Sequence, residues 1–392
     1  MTTGNGITTA VPALRFPEFQ NTEGWKKYNL KSLCEIGNGK NYKHLGSGDI
    51  PLYGSGGYMT SVDDFLYDGE SVCIGRKGTI DKPIFLIGKF WTVDTLFYTH
   101  SFCNCLPKFL YLIFQQINWH KYNEAGGVPS LSKTTIREIN VFVPVEKKKE
   151  LKEQQKIADC LSSLDDLIEA TIQKVDVLKE HKKGLMQRLF PANGSNVPNL
   201  RFPEFQNTKG WEETFLDAVA DYDNGKAHEN EIDDNGKFIV VNSKFISTNG
   251  EIAKRTNSPY CLAYKKDILM VLSDVPKGRA IAKCFFVDQA GIYTVNQRIC
   301  ILRSKGIDSK FLFYLLNRNP YFLAFDDGVK QTNLKKREVL DCPLIIPSSP
   351  LEQQKIANLL SSIDDLIIAT EQKAKALEKQ KKGLMQQLFP KI

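Results

Sequence analysis

Two stretches of the chain carry loops in which basic, amide and aromatic side chains occur together. Arginine and lysine can donate to guanine, asparagine and glutamine can pair with adenine, and all four can bind a phosphate. The residues that we single out as candidate DNA contacts are Lys40, Asn41, Tyr42, Lys43, Tyr58, Arg76 and Lys77 in the first stretch, and Lys226, Asn242, Lys244, Lys277, Arg279, Gln297, Arg298, Lys330, Gln331, Asn333, Lys335, Lys336 and Arg337 in the second. Because ordinary surface loops also contain such residues, this pattern alone does not specify DNA.

The sequence contains no recognisable catalytic motif. An adenine methyltransferase would carry an Asn/Asp-Pro-Pro-aromatic motif, and the nearest string, Asn319-Pro320-Tyr321, lacks the second proline. Gly39-Lys40 and Gly225-Lys226 lack the hydroxyl residue and the upstream glycine of a G-x-x-x-x-G-K-[ST] phosphate loop. The five histidines are scattered, with no nucleophile or metal-ligating group arranged around them. We therefore expect no catalytic residue, no metal and no cofactor in this chain.

Length and composition predict a cytoplasmic protein of more than one domain. The 392 residues exceed one typical domain, and the net charge of +7 permits nucleic-acid binding without demanding it. Nine cysteines at irregular spacings favour reduced thiols over a disulfide framework or a zinc site. We expect no membrane span, because no run of about 18 apolar residues occurs, and no signal peptide, because a basic start with a long apolar run is missing.

Self-comparison of the chain reveals two repeated blocks. Residues 12–25, PALRFPEFQNTEGW, recur as PNLRFPEFQNTKGW at 198–211, an offset of 186 (198 minus 12). Residues 153–191 recur at 352–390, an offset of 199 (352 minus 153). The segments between the blocks look largely unrelated to each other. Uniform drift after duplication would not produce this contrast, so we infer a repeated frame that meets one kind of partner twice and two inserts that meet different ligands.

The longer block has the apolar spacing of a coiled-coil helix. Apolar residues alternate four and three apart, and a proline, Pro191 or Pro390, follows the apolar end of each block. The apolar seam residues, which we expect to make interhelix or partner contacts, are Ile157, Leu161, Leu164, Ile168, Leu178, Leu185, Ile356, Leu360, Ile363, Ile367, Leu377 and Leu384. Thr171 and Lys182 occupy seam positions that Thr370 and Lys381 repeat, and polar seam residues fix register. We expect two helices of about 36 residues, roughly 50 Å long, packed antiparallel.

The inserts combine short β-like runs, such as SVCIG and RICILRS, with one predicted helix near the end of each. The expected fold class is α+β, with two recognition domains of mainly β core joined by two long antiparallel coiled-coil helices in a pseudo-twofold internal repeat. The expected segments are a flexible tail at 1–11, the first domain at 12–151, the first helix at 152–191, the second domain at 192–351 and the second helix at 352–392.

The duplicated pattern resembles the specificity subunits of type I restriction-modification systems. The resemblance rests on L-R-F-P-E-F with G-W at the start of each half, and on E-Q-Q-K-I-A followed by a long helix ending K-K-G-L-M-Q-x-L-F-P. It covers nearly the whole chain and implies a non-catalytic subunit whose two target recognition domains each read one half of a split DNA site. It also implies binding to two modification subunits that methylate adenine N6 with S-adenosylmethionine, and to restriction subunits that use ATP and magnesium. Base-reading residues cannot be transferred, because they vary within such a family.

Three other functions remain open on the sequence. The chain could be the specificity component of another methyltransferase or of a fused nuclease-methyltransferase, in which case affinity capture would recover one large partner. It could be a coiled-coil scaffold without DNA readout, a hypothesis favoured by the modest net charge. A free-standing nuclease or methyltransferase is disfavoured by the missing motifs.

The helix length also predicts the geometry of the DNA site. Duplex DNA advances about 34–36 Å per turn, so two readers held roughly that far apart by a rigid rod would address successive major grooves on one side. A bipartite target with an unread gap follows, and the length of the helices would set that gap.

Overall fold

A computed structural model describes residues 9–144, 151–192, 194–276, 278 and 280–391. Two candidate DNA contacts, Lys277 and Arg279, and most of the expected tail lie outside these residues. The described residues form two compact units. Unit 1 consists of the described parts of Met1–Gln173 and Thr370–Ile392, and unit 2 of the described parts of Lys174–Ala369.

Unit 1 is built mainly from short strands. They are β1 (Thr9–Ala10), β2 (Trp25–Asn29), β3 (Glu35–Asn38), β4 (Ile50–Gly54), β5 (Gly57–Val62), β6 (Tyr67–Asp68), β7 (Ser71–Gly75), β8 (Ile84–Leu86), β9 (Lys89–Thr92), β10 (Leu96–His100) and β11 (Asn140–Val143). The helices are α1 (Pro107–Phe114), α2 (Lys133–Glu138) and the long α3 (Lys152–Leu189), whose residues after 173 belong to unit 2. The sheets have the strand orders β1-β2-β11, β3-β10-β7-β8 and β5-β4-β9-β6.

Unit 2 has a similar set of elements. Its strands are β12 (Glu212–Phe215), β13 (Ala220–Asn224), β14 (Phe238–Val241), β15 (Lys254–Thr256), β16 (Ile268–Val271), β17 (Ser273–Asp274), β18 (Cys284–Phe286), β19 (Tyr293–Val295), β20 (Ile299–Ser304), β21 (Thr332–Asn333) and β22 (Pro343–Ile346). Its helices are α4 (Leu216–Val219), α5 (Ser243–Ser247), α6 (Ser309–Leu316), α7 (Pro320–Leu323), α8 (Lys336–Leu340) and the long α9 (Pro350–Leu388), whose residues from 370 belong to unit 1.

The two inserts share one topology although their sequences look unrelated. The central sheet of unit 2 has the order β13-β20-β16-β18, which repeats β3-β10-β7-β8 of unit 1 strand for strand. In both units a parallel pair lies in a second sheet, β4 with β9 and β14 with β19. In both units the first and last strands of the insert pair antiparallel, β2 with β11 and β12 with β22. The expected α+β repeat with mainly β cores is therefore confirmed.

Each core is completed by the C-terminal end of a long helix. In unit 1, Phe389, directly after α9, stacks on Phe109 at 5.3 Å between ring centroids and meets Trp25 edge-on at 5.6 Å. In unit 2, Phe190, directly after α3, packs at 5.7 Å against Phe311 and meets Trp211 edge-on at 6.2 Å. The repeated L-F-P string thus fills the same place in each unit with a large apolar side chain.

The helical segments within each unit pack antiparallel. In unit 1, Ile157 and Leu161 near the start of α3 share a core with Leu388 at the end of α9, and Lys381 pairs with Asp165. As α3 runs from 157 to 165, the α9 residues opposite run backward from 388 to 381. Unit 2 repeats the arrangement, with Leu189, Ile356 and Leu360 in one core and Lys182 bound to Asp364.

The two seam lysines each form an ion pair with an aspartate on the facing helical segment of the same unit. The Nζ of Lys182 lies 2.6 Å from the Oδ1 of Asp364, with both side chains partly buried, and Lys381 makes the equivalent pair with Asp165. Because opposite charges face each other only in one alignment, these two pairs fix the register of the helical segments in their units. Each contact uses the first aspartate of an Asp-Asp pair, Asp165-Asp166 in α3 and Asp364-Asp365 in α9.

Candidate nucleic-acid interface

A buried charge cluster attaches the start of each insert to a long helix. In unit 1 the guanidinium of Arg15 donates from Nε and Nη2 to the two carboxylate oxygens of Glu153, at 2.7 Å each. The indole Nε1 of Trp25 donates to the same carboxylate at 3.2 Å. Unit 2 repeats these bonds between Arg201, Trp211 and Glu352. The repeated L-R-F-P-E-F and G-W strings are thereby explained, because they position each insert on its helix.

The turn after β3 carries Lys40, the first candidate DNA contact of unit 1. The amide of Gly39 donates to the carbonyl of Leu96 at 3.2 Å, and the amide of Lys40 donates to Thr92 at 2.8 Å. The indole Nε1 of Trp91 donates to the carbonyl of Lys40 at 3.0 Å. A Cβ on Gly39 would lie 1.9 Å from the carbonyl oxygen of Val93, so only glycine fits this approach of two backbones. The turn is held by its backbone, and its lysine is exposed.

Unit 2 has the same turn after β13. The amide of Gly225 donates to Ile299 at 3.0 Å, and the amide of Lys226 donates to Val295 at 2.9 Å. The carbonyl of Lys226 lies 2.7 Å from Nδ1 of the buried His228, so the imidazole takes the place that an indole has in unit 1. A Cβ on Gly225 would lie 2.1 Å from the carbonyl oxygen of Asn296.

A polar cleft of about 530 Å³ brings together part of the candidate set in unit 1. Its lining includes Asn38, Arg76, Lys77 and Lys133. Arg76 and Lys77 follow β7 and are exposed, and the guanidinium carbon of Arg76 lies 6.0 Å from the ring centroid of Phe97. Two of the predicted DNA contacts, Arg76 and Lys77, thus line one cleft, and DNA contact stays a prediction for both. Lys133, the first residue of α2, lines the same cleft and was not among the candidates.

A second cleft, of about 340 Å³, lies in unit 2 and is lined by three residues of the candidate set, Asn242, Lys244 and Arg298. Lys254, in β15, lines the same cleft and was not predicted. Glu229 supplies a negative charge there, and the amide of Asn296 donates to it at 3.1 Å. That hydrogen bond, followed by backbone hydrogen bonds, lowers the pKa of the Glu229 carboxyl. The cleft therefore combines three cations with one fixed carboxylate.

Six further candidates of unit 2 lie on an edge formed by β21 and the residues on either side of it. Gln331 donates from Nε2 to the hydroxyl of Ser273 at 2.8 Å, which ties the β21 segment to β17. Exposed polar residues of this edge are Lys330, Gln331, Asn333, Lys335, Lys336 and Arg337. The ammonium of Lys336 lies 5.4 Å from the ring centroid of Tyr222.

Two aromatic candidates of unit 1 have different environments. Tyr42 is partly buried and packs on a small core that contains Leu52 and Trp91, so a good part of its side chain serves packing. Tyr58, on β5, is 61% exposed, and its hydroxyl lies 3.0 Å from that of Ser61. Asn41 accepts from the amide of Lys43 at 3.1 Å, which shapes the loop that follows the glycine turn.

The apolar seam residues face inward in both helices. Five are buried, namely Ile157, Leu161, Ile356, Leu360 and Ile367, and seven are half-buried, namely Leu164, Ile168, Leu178, Leu185, Ile363, Leu377 and Leu384. Their burial shows that the stripe is directed into the protein. Contact with a partner protein stays a prediction for these residues.

The cysteines of the chain are free thiols. Burial raises the pKa of Cys73 and of Cys300 to about 12, so both are protonated near neutral pH and are poor nucleophiles. Among the described residues, no group of three or more His, Cys, Asp or Glu side chains is arranged to hold a metal ion. Within the same ranges, no helix has both the length and the apolar character that a membrane span requires.

These features define a protein with two recognition units of one topology, each attached to a duplicated helical frame and each exposing its own set of cationic and amide side chains. A family model described as the type I restriction modification DNA specificity domain matches the chain twice, over residues 22–180 and 208–379. These matches cover most of the chain, which therefore belongs to this family.

Named relatives agree with the family match. The type I restriction enzyme MjaVIII specificity subunit of Methanocaldococcus jannaschii is 26% identical over 347 residues, which cover 83% of this chain and 77% of that protein. The putative type I restriction enzyme MjaX specificity subunit of the same organism is 26% identical over 296 residues, which cover 71% and 66%. The crystal structure of a type I restriction-modification S subunit from M. genitalium has a TM-score of 0.69 at 16% identity, covering 98% of this chain and all of that one, and shows a common fold.

Proposed function

We propose that the chain is the DNA specificity subunit of a type I restriction-modification complex and reads a bipartite target, with one unit for each half-site. The observation that carries the proposal is the pair of inserts with one sheet topology but different exposed residues around it, within a family of DNA specificity domains. A shared scaffold with unlike surface side chains is what two readers of different sequences require, because base edges are distinguished by the donors and acceptors offered to them.

The chain acts without catalysis of its own in this proposal. S-adenosylmethionine, ATP and magnesium bind to the partner subunits, which carry adenine-N6 methylation and restriction. The missing methyltransferase and phosphate-loop motifs support this assignment.

The partners in this proposal are double-stranded DNA, two modification subunits and the restriction subunits. The duplicated frame supports two copies of one partner, since both units build the same frame around an equivalent buried Arg–Glu–Trp cluster and end it with the same helix string. We place the complex in the cytoplasm, where DNA and ATP are available and free thiols persist.

The helices α3 and α9 also set the gap between the half-sites in this proposal. Both divide their residues between the two units, so any change in their length acts on both readers. Inserting one seven-residue heptad into each helix lengthens it by roughly 10 Å. We expect a changed gap with both half-sites retained, and an unchanged gap would show that the helices do not determine it.

The proposed function is tested by sequencing the methylome of a methylation-free host that carries this chain with its modification subunit. Control strains omit one protein or the other. We expect a new split adenine motif that requires both proteins. If the two proteins associate and no motif appears, the chain does not direct methylation, and a scaffold without DNA readout becomes the better explanation.

A further inference from the structure

We propose that the Asn-Gly-Lys turn found in both units is a shared phosphate-binding element, in which Lys40 and Lys226 each hold the DNA backbone. Sequence reading then falls to the unlike residues that surround the two turns. This inference rests on the proposed function and deepens it, since it divides the DNA contacts into those that position the duplex and those that read it.

The turn is an identical tripeptide inside inserts that otherwise look unrelated. Asn38-Gly39-Lys40 and Asn224-Gly225-Lys226 are 186 residues apart, which is the offset of the L-R-F-P-E-F blocks. The residues on either side differ, as EIG before and NYKH after in unit 1 become DYD and AHEN in unit 2. The tripeptide therefore belongs to the repeated frame, although it is surrounded by insert.

The two turns have equivalent backbone hydrogen bonds. In each, the glycine amide donates to the first residue of the following central strand, Leu96 or Ile299. In each, the lysine amide donates to the last residue of the adjacent strand, Thr92 of β9 or Val295 of β19. The glycine is explained by packing, because a Cβ would collide with a carbonyl oxygen in both units.

Packing does not explain the lysine. Lys40 and Lys226 are exposed, and the described residues include no ion-pair partner for either ammonium group. What the structure does fix is the lysine backbone, whose carbonyl is bonded by Trp91 in unit 1 and by His228 in unit 2. Two different rings thus bond the same carbonyl, so each lysine is anchored at an equivalent point of the scaffold.

Lysine at this point suits phosphate better than a base edge. Its ammonium group is a compact charge with three donors on a flexible stem, and contacts to phosphate position the duplex without carrying sequence information. A contact of that kind serves both units whatever each one reads. The turn that lies beside it differs, with Asp94 and Thr95 in unit 1 and Gln297 and Arg298 in unit 2. Exposed amide and guanidinium groups of the latter type can pair with base edges.

The test measures the salt dependence of DNA binding by the full chain in complex with its modification subunit. The variants are Lys40→Ala, Lys226→Ala, the double variant, and the charge-retaining Lys40→Arg and Lys226→Arg. Lys31→Ala and Lys305→Ala are matched controls, since they remove an equal charge from exposed lysines paired with Glu138 and Asp221. Fluorescence anisotropy on a cognate and a scrambled duplex gives the affinity over a fourfold range of salt, and thermal melting confirms folding.

We expect each alanine variant to weaken binding to both duplexes and to lower the salt slope of log affinity by about 0.9, or roughly 3.5-fold over that salt range. The arginine variants and the controls should retain the slope, and the methylated motif should not change. An unaltered slope in the double variant, or a motif relaxed at one base by Lys40→Ala or Lys226→Ala, overturns the inference.

The outcomes separate this inference from the proposed function. If the wild-type complex binds both duplexes equally and the alanine variants have a lower salt slope, the phosphate contacts are supported and sequence-specific readout is refuted. If the wild type discriminates and the slopes are unaltered, the proposed function stands and the lysines are not phosphate contacts. If the wild type binds neither duplex, both are overturned.

Discussion

Loss of the Glu153 charge should destabilise unit 1 strongly, because it leaves the Arg15 guanidinium buried without its counter-ion. The side chains of Arg15 and Glu153 are 6% and 2% exposed, and two hydrogen bonds of 2.7 Å join them. Glu153→Gln keeps the shape of the side chain and removes the charge. The remaining acceptors of Arg15, the carbonyls of Thr22 and Glu23, are neutral and cannot replace it.

The size of the effect follows from the geometry. Two unit charges about 4 Å apart at an effective dielectric constant of about 20 interact by about 4 kcal/mol. Measured losses on breaking a buried pair from one side are about 3–5 kcal/mol. With a urea m-value of about 3 kcal/mol/M for a unit of this size, the unfolding midpoint should fall by about 1–2 M.

Urea unfolding followed by tryptophan fluorescence measures this effect. Trp25, Trp91 and Trp119 lie in unit 1, so the signal reports mainly that unit. Glu18→Gln is the matched control, since Glu18 pairs with Lys156 at the surface and should change the midpoint little. Replacing both buried charges, by Arg15→Met with Glu153→Leu, should recover much of the loss. A Glu153→Gln midpoint no lower than that of Glu18→Gln would refute the reasoning.

Three further predictions concern the core, the turns and the thiols. Leu161→Ala or Leu360→Ala, at fully buried seam positions, should each lower the free energy of unfolding by about 2–5 kcal/mol, measured by calorimetry. Leu167→Ala, at a position 44% exposed, should lower it far less, and equal losses would contradict the burial of the seam. Gly225→Ala should accelerate hydrogen exchange of the Lys226 amide, because the new Cβ would lie 2.1 Å from a carbonyl oxygen. Gly56→Ala is the control, since open space surrounds Gly56, and it should have no local effect. Unchanged exchange in Gly225→Ala would contradict the close approach. At pH 8 a thiol reagent should label the exposed Cys103 and spare Cys73, because the pKa of Cys73, raised to about 12, leaves roughly one thiolate in ten thousand. Rapid labelling of Cys73 in the native chain would contradict its burial.

The repeat and the helices could be predicted from the sequence because their information is local. Seam spacing predicted helices that the structure places at Lys152–Leu189 and Pro350–Leu388, and the nearly identical blocks predicted a duplicated frame. The buried pairing of Arg15 with Glu153 spans 138 residues, and no local pattern specifies which carboxylate meets which arginine. The insertion of Phe389 beside Trp25 was hidden for the same reason.

The candidate site was only partly predictable. Residue type identified Arg76 and Arg298 as exposed cations, but it could not show that Lys133 and Lys254 line the same clefts, because those residues come from distant parts of the chain. The recurrence of Asn-Gly-Lys at the offset of 186 was visible in the sequence and was missed.

The paired strands at the ends of each insert explain how one frame can hold unlike readers. Each insert begins and ends on neighbouring antiparallel strands, β2 with β11 in unit 1 and β12 with β22 in unit 2. Its two ends are therefore adjacent. The contacts with the frame are made outside the loops that carry the candidate DNA contacts, by the Arg–Glu–Trp cluster before the insert and by the helix after it. Changes in the exposed loops leave those contacts untouched, so the energetics of the frame and the specificity of the readers can vary independently. The Asn-Gly-Lys turn is common to both units yet lies inside each insert, so under the phosphate-binding proposal it is a frame element that serves both readers.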